Sequence, residues 1–136
     1  MFIDTETHKP YLPSPAYFLC CFDVYDREEA LGEELKKYDP NVAADREVLI
    51  VKYCMPMKRS YRHKFLLVEC LKFALGNDGY DFESLFQYDP EACSSFPDGW
   101  DEMDNSRVFF EDVYRLAMIY WAEDLTMASL EDRTKW

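Results

Sequence analysis

The stretch from Ser106 to about Leu125 constrains the fold more than any other part of the chain. Phe109, Val113, Ala117, Tyr120 and Trp121 recur there at helical spacing, and Phe110, Tyr114 and Met118 broaden the stripe. Residues three and four apart share one face of an α-helix, so this pattern predicts a long helix with a wide apolar side. Asp101, Glu102 and Asp104 stand just ahead of it, where negative charge favours the unpaired N–H groups of a helix start. Such a face is stable only when other elements cover it, and the rest of the chain must supply them.

A second clear helix runs from Ser60, as N-cap, to Leu75. Phe65, Val68, Leu71, Lys72 and Leu75 describe one side, Leu67, Cys70 and Ala74 widen it, and Gly76-Asn77 reads as its stop. The N-terminal half is more ambiguous. Ser14 before Pro15 is a good helix start, and the pattern through Tyr17, Cys21, Val24, Leu31 and Leu35 predicts a helix to about Lys37, ended before Pro40. Asp45, as N-cap, opens another to about Met55, with Pro56 beyond. Residues 17–25 and 48–53 are rich in aromatic or β-branched side chains, which suit strands equally well. A short helix is expected from Asp81 to Tyr88, then an ordered loop from Pro90 to Asn105 carrying Phe96 and Trp100, and a last turn near Leu130.

Together these elements predict a mostly α fold over residues 1–136, one domain of four to five helices with an acidic aromatic loop. The alternative is an α+β fold with N-terminal strands. Leu35-Lys36-Lys37-Tyr38-Asp39-Pro40 is echoed by Leu85-Phe86-Gln87-Tyr88-Asp89-Pro90. A repeated Asp-Pro helix stop accounts for those letters as well as an internal duplication does.

Charge is sorted along the chain. The balance is 27 acids against 15 bases, a net charge of -12. From Asn77 to Asp104 there are carboxylates and no Lys or Arg, whereas Lys52, Lys58, Arg59, Arg62 and Lys64 follow one another with no acid between Glu47 and Glu69. A field of this sign opposes binding to nucleic acid or anionic membrane and steers basic proteins inward. The basic run is expected to neutralise part of the 77–104 segment across the fold, or to face it in a weak homodimer.

Motifs for chemistry are lacking. His8 and His63 are far apart, Cys20 and Cys21 are adjacent, and no C-x-x-C or Gly-rich phosphate loop occurs, so neither metal nor other cofactor is expected. Five cysteines, four with apolar neighbours, read as reduced thiols. No segment reaches the roughly 20 apolar residues of a membrane span, and the N-terminus lacks the basic and apolar regions of a signal peptide. The expected location is the cytoplasm. Carboxylate pairs are numerous, but nothing in the sequence marks any of them as catalytic.

Phe96 and Trp100 differ from the helical aromatics because they stand among acids beside Pro97 and Gly99. Aromatic anchors ringed by polar groups are the usual make-up of an interface hot spot, and the competing reading is that the pair folds back to cover the helix core. The expected partner surface is therefore Phe96, Asp98, Trp100, Asp101, Glu102 and Asp104, with Glu111 and Asp112 on the following helix.

An acidic domain without catalytic motifs, its carboxylates clustered around Phe96 and Trp100, and closing on Glu111-Asp112 and Tyr120-Trp121-Ala122-Glu123-Asp124, resembles the small immunity proteins that bacteria make against their own toxins. The resemblance is one of general character and supplies a function class without a fold. It implies a protein that binds and neutralises a basic toxin domain, a nuclease for preference, with carboxylates taking the place of phosphates. The alternative is an acidic protein-interaction or nucleic-acid-mimic module of another class.

Overall fold

The computed structural model describes residues 2–4, 6–87 and 95–136. Some 60% of these are helical and none lies in a strand; the nearest approach to a sheet is a single antiparallel bridge between Ile3 and Pro10. The chain is a helical bundle, and the α+β alternative is overturned. Cys93 and the Tyr88-Asp89-Pro90 end of the internal echo lie outside the described residues.

The elements, in order, are a 3-10 helix Pro15–Phe22, a π-helical turn Glu28–Gly32 leading into α1 (Glu33–Leu35), α2 (Ala43–Leu49) continuing as a π-helical stretch Ile50–Cys54, α3 (Tyr61–Leu75), 3-10 turns Glu83–Phe86 and Trp100–Glu102, α4 (Ser106–Tyr120), α5 (Ala122–Ser129) and a final 3-10 turn Arg133–Lys135. One core cluster extends from Phe18 to Leu125.

Central to it is α4, which buries Phe109, Phe110, Val113, Leu116 and Ala117. Asn105 caps it, its side chain accepting from the Val108 N–H. The helix does not continue to Leu125. It breaks at Trp121, whose ring stacks on Phe18 with centroids 5.9 Å apart and whose indole N–H donates to the Met55 carbonyl at 3.0 Å. Trp121 itself leaves helical geometry, at φ -105° and ψ 15°, and α5 begins after it. Tyr120, counted in the apolar stripe, is 56% exposed as a result, and Met118 is 46% exposed.

The start of α3 matches the sequence reading, with Ser60 Oγ accepting from the His63 N–H at 3.2 Å. Its end is made differently. Gly76 stays in the right-handed region, so it is not a left-handed glycine stop. Arg107, from the first turn of α4, donates to the carbonyls of Leu75 and Asn77 at 3.2 and 2.8 Å, with its guanidinium over the Phe82 ring. A cation there also suits the negative end of the α3 dipole.

Two N-terminal expectations need correction. The helix predicted from Pro15 to Lys37 is interrupted, because Asp23 uses its carboxylate locally and across the fold. It accepts the N–H groups of Tyr25 and of Ser95, both at 3.0 Å, while the Val24 N–H donates to the Ser95 carbonyl. Competing side-chain bonds of this kind end helices, and Asp26 completes the turn at positive φ. The second helix does form, but Val42 occupies the N-cap position in place of Asp45, whose side chain binds the Asp39 N–H. Leu49 and Ile50 are both fully buried, side by side on the inner face of a helix. The wide turn of Ile50–Cys54, closed by the Met55 N–H on the Ile50 carbonyl, lets Leu49, Ile50 and Cys54 all point inward.

Trp121→Phe leaves the Met55 carbonyl buried without its donor and is expected to cost about 1–3 kcal/mol. Urea unfolding with an unchanged slope and a lower midpoint is the measurement.

Candidate binding face

The segment 95–104 is built as a platform that turns aromatics inward and carboxylates outward. Pro97 to Trp100 form a tight turn closed by the Trp100 N–H on the Pro97 carbonyl at 3.2 Å, with Gly99 at φ 90°. That turn type needs a positive φ at its third position, which glycine supplies without strain. It directs Asp98 to solvent and rotates Trp100 into the core. The Trp100–Glu102 turn then exposes Asp101 and Glu102, Met103 dips inward, and Asp104 emerges again. Two bonds steady the platform: Gln87 Nε2 donates to the Asp101 carbonyl, and the Asp104 N–H donates to Asn41 Oδ1 at 2.9 Å.

Trp100 is therefore not an exposed anchor. It is 2% exposed, and its ring centroid lies 5.1 Å from that of Phe22 and 5.9 Å from that of Phe109. Phe96 is half-buried against Phe86. It lines two hollows, a cleft of about 600 Å³ toward the Glu28–Gly32 turn and one of about 630 Å³ toward the N-terminal segment.

The first cleft brings together residues that sequence spacing left apart. Glu28, Glu29 and Glu33 form one wall and Asp98 and Asp101 the other. Lys36 is the one cation among the described lining residues, and it is held by Glu33 at 2.9 Å. Beyond the Trp100–Glu102 turn a smaller notch gathers Asp81, Glu83 and Asp104 around Arg107, which is committed to the end of α3. Asp98, Asp101, Glu102 and Asp104 make no ion pair among the described residues, and neither do Glu28 and Glu29. The Glu28–Glu33 wall escaped sequence reasoning because it faces the loop only once the chain breaks at Asp23–Arg27. The Glu28-Glu29 pair beside a turn-prone Asp23–Asp26 stretch was the available signal.

The two acids predicted on α4 separate from this face. Asp112 is half-buried and bound by Arg46 Nε at 2.8 Å, with Arg115 at 3.6 Å, and so ties α2 to α4. It is a structural tie between the two helices. Glu111 is exposed but lines neither hollow.

Two cations of the basic run, Arg62 and Lys64, are directed away from the 77–104 segment, while Arg59 lines a hollow with Ser84, Gln87 and Phe96. Arg62 binds Glu131 at 2.9 Å and Lys64 binds Asp124 at 2.8 Å, so these cations hold α5 and the chain beyond it against α3. His63 lies 3.7 Å from Asp4 and packs edge-on against Phe2 and Tyr11, docking the N-terminal segment. Ser60, His63 and Asp4 superficially form a relay, with Ser60 Oγ 2.7 Å from His63 Nδ1. Ser60 is committed as the helix cap, and Asp4 is beyond hydrogen-bond reach of the ring.

Thiol chemistry is similarly quiet. Burial pushes the Cys20 thiol up, and a bond to Cys54, with burial behind it, pushes Cys21 up, the opposite of an activated nucleophile. Cys21 and Cys54 both donate to the Phe18 carbonyl. Burial also raises Tyr11 to about 12. Among the described residues no three His, Cys, Asp or Glu side chains gather as metal ligands, and no helix is long and apolar enough to cross a membrane. Compared with protein-family models, curated proteins and solved structures, the chain matches none of them.

Two expectations follow from these contacts. Trp100→Ala empties a site in the aromatic core and should cost about 3–5 kcal/mol of folding stability, read as a lower thermal midpoint. The Arg62 guanidinium and the Tyr61 hydroxyl hold Glu131 below its ordinary value of 4.5. It therefore takes up its proton later in the folded than in the unfolded chain. The stability it contributes is complete above that ordinary value and is lost as pH falls through the lowered one. Glu131→Gln should flatten the acid limb of a stability–pH profile in that window and leave the neutral-to-alkaline limb unchanged.

Proposed function

We propose that the chain is a binding protein whose acidic face, centred on Phe96, Asp98, Asp101, Glu102 and Asp104 with Glu28 and Glu29 opposite, engages a basic protein. The observation that carries this reading is the division of charge. Arg46, Arg62 and Lys64 are committed to acids elsewhere in the fold, while the carboxylates of this face are exposed with no ion pair among the described residues. Carboxylates fixed on a braced turn and outside any ion pair among the described residues attract a cationic partner over distance and can exchange water for its Lys and Arg side chains with little reordering. Phe96, half-buried between two hollows, provides the apolar contact that such an interface needs at its centre.

Within that class the immunity-type reading fits best: neutralisation of a basic toxin domain, a nuclease for preference, by covering the surface that meets phosphate. Its support is the resemblance in character, joined to a face that presents negative charge in a fixed arrangement.

Retention on immobilised chain, followed by mass spectrometry, is expected to return a basic protein. Against that partner, Asp101→Lys with Glu102→Lys should slow association by roughly tenfold or more at low salt and flatten its salt dependence. Phe96→Ala should chiefly speed dissociation. Unchanged kinetics in both, with folding intact, would remove this face from the interaction.

A further inference from the structure

On the α3–α4–α5 side of the bundle a groove of about 360 Å³ is lined by Phe65, Val68, Tyr114, Met118 and Leu125. A shallower hollow lined by Met127 and Leu130 shares Ala122 and Thr126 with it, so the two form one apolar strip. Its outer positions are open: Met127 is 47% and Leu130 83% exposed. Met127 and Leu130 are thus apolar side chains left open to solvent along one edge of this strip.

The charges around the strip identify the occupant. Glu69 and Lys72 line the groove, Glu123 lines the hollow, and Arg133 lies over the Phe65 ring. These two acids and two bases make no ion pair among the described residues, whereas the neighbouring Asp124 and Glu131 are already neutralised by Lys64 and Arg62. On a chain of net charge -12, identical copies repel one another almost everywhere. This strip is locally balanced, with charges of both signs outside any ion pair among the described residues. Acids and bases in equal number around an apolar centre allow a contact across a two-fold axis, in which each acid of one copy meets a base of the other. We infer that a second copy of the chain docks here, strip against strip, with the acids of each copy meeting the bases of the other. This contact uses a different face from the acidic one and stands independently of the proposed function.

Sedimentation velocity and light scattering on the intact chain, up to roughly 1 mM, test the inference directly. A concentration-dependent mass rising to that of a dimer is expected, and Met127→Asp with Leu130→Asp, both at exposed positions, should weaken it at least roughly tenfold. The decisive pair is Glu69→Lys/Glu123→Lys, which makes the strip wholly basic, and Lys72→Glu/Arg133→Glu, which makes it wholly acidic. Each should be monomeric alone, and an equal mixture should form a heterodimer. A parent chain that stays monomeric throughout overturns the inference, as does a dimer indifferent to these substitutions. A monomer that binds a different protein through Leu130 would also overturn it and assign the strip to that protein.

Discussion

The indole of Trp100, set among Phe22, Phe86 and Phe109, is the contact on which the rest of the arrangement depends. Phe22 belongs to the first 3-10 helix, Phe86 to the turn after α3, and Phe109 to α4, so one ring joins segments that are remote in sequence. The large apolar area of a buried indole stabilises the core, and it also fixes the chain on either side of it. Asp98 and Asp101 can sit on a defined scaffold only because the residue between their turns is held from within. The acidity of this loop and its anchorage are thus two aspects of one local conformation, in which alternate side chains are pulled in and pushed out.

Charge in this molecule is organised by commitment more than by quantity. Arg46 joins α2 to α4 through Asp112, Lys64 joins α3 to α5 through Asp124, and Arg107 closes the end of α3 from the start of α4. Each of these cations spans two helices, so the basic residues act largely as ties within the bundle. Exposed pairs contribute little individually, but the partly buried ones fix which helices meet. The acids outnumber such ties, and the surplus collects where the backbone is braced and cations are already engaged.

Much of this was legible in the sequence where the determinants are local. The cap at Ser60 and the apolar stripe from Phe109 to Ala117 are decided by neighbours within a turn or two, and both helices appear where their spacing places them. The interruption after Phe22 was not legible, because it depends on Asp23 bonding to Ser95, 72 residues away. The orientation of Trp100, inward or outward, stayed open in the sequence for a related reason. Its flanking acids suggest a solvated loop, and only the tight turn at Gly99 sends the ring inward while leaving Asp98 outside. Exchange of Asp112 from surface to tie likewise required knowing that Arg46 lies across from it. Helical periodicity gives a residue's face, whereas its partner is a property of the assembled fold.

The wide turn of Ile50–Cys54 has a consequence for chain length. A π-helical turn is an α-helix carrying one residue more than its pitch accommodates. Shortening the chain by one residue there would restore ordinary pitch and leave the elements on either side near their present register, because the wide turn confines the extra residue to itself. What would change is the turn, where Leu49, Ile50 and Cys54 could no longer all face the core. The extra residue thus serves a local end, aiming three apolar side chains at one core, and a related chain without it must fill that space from the facing 3-10 helix.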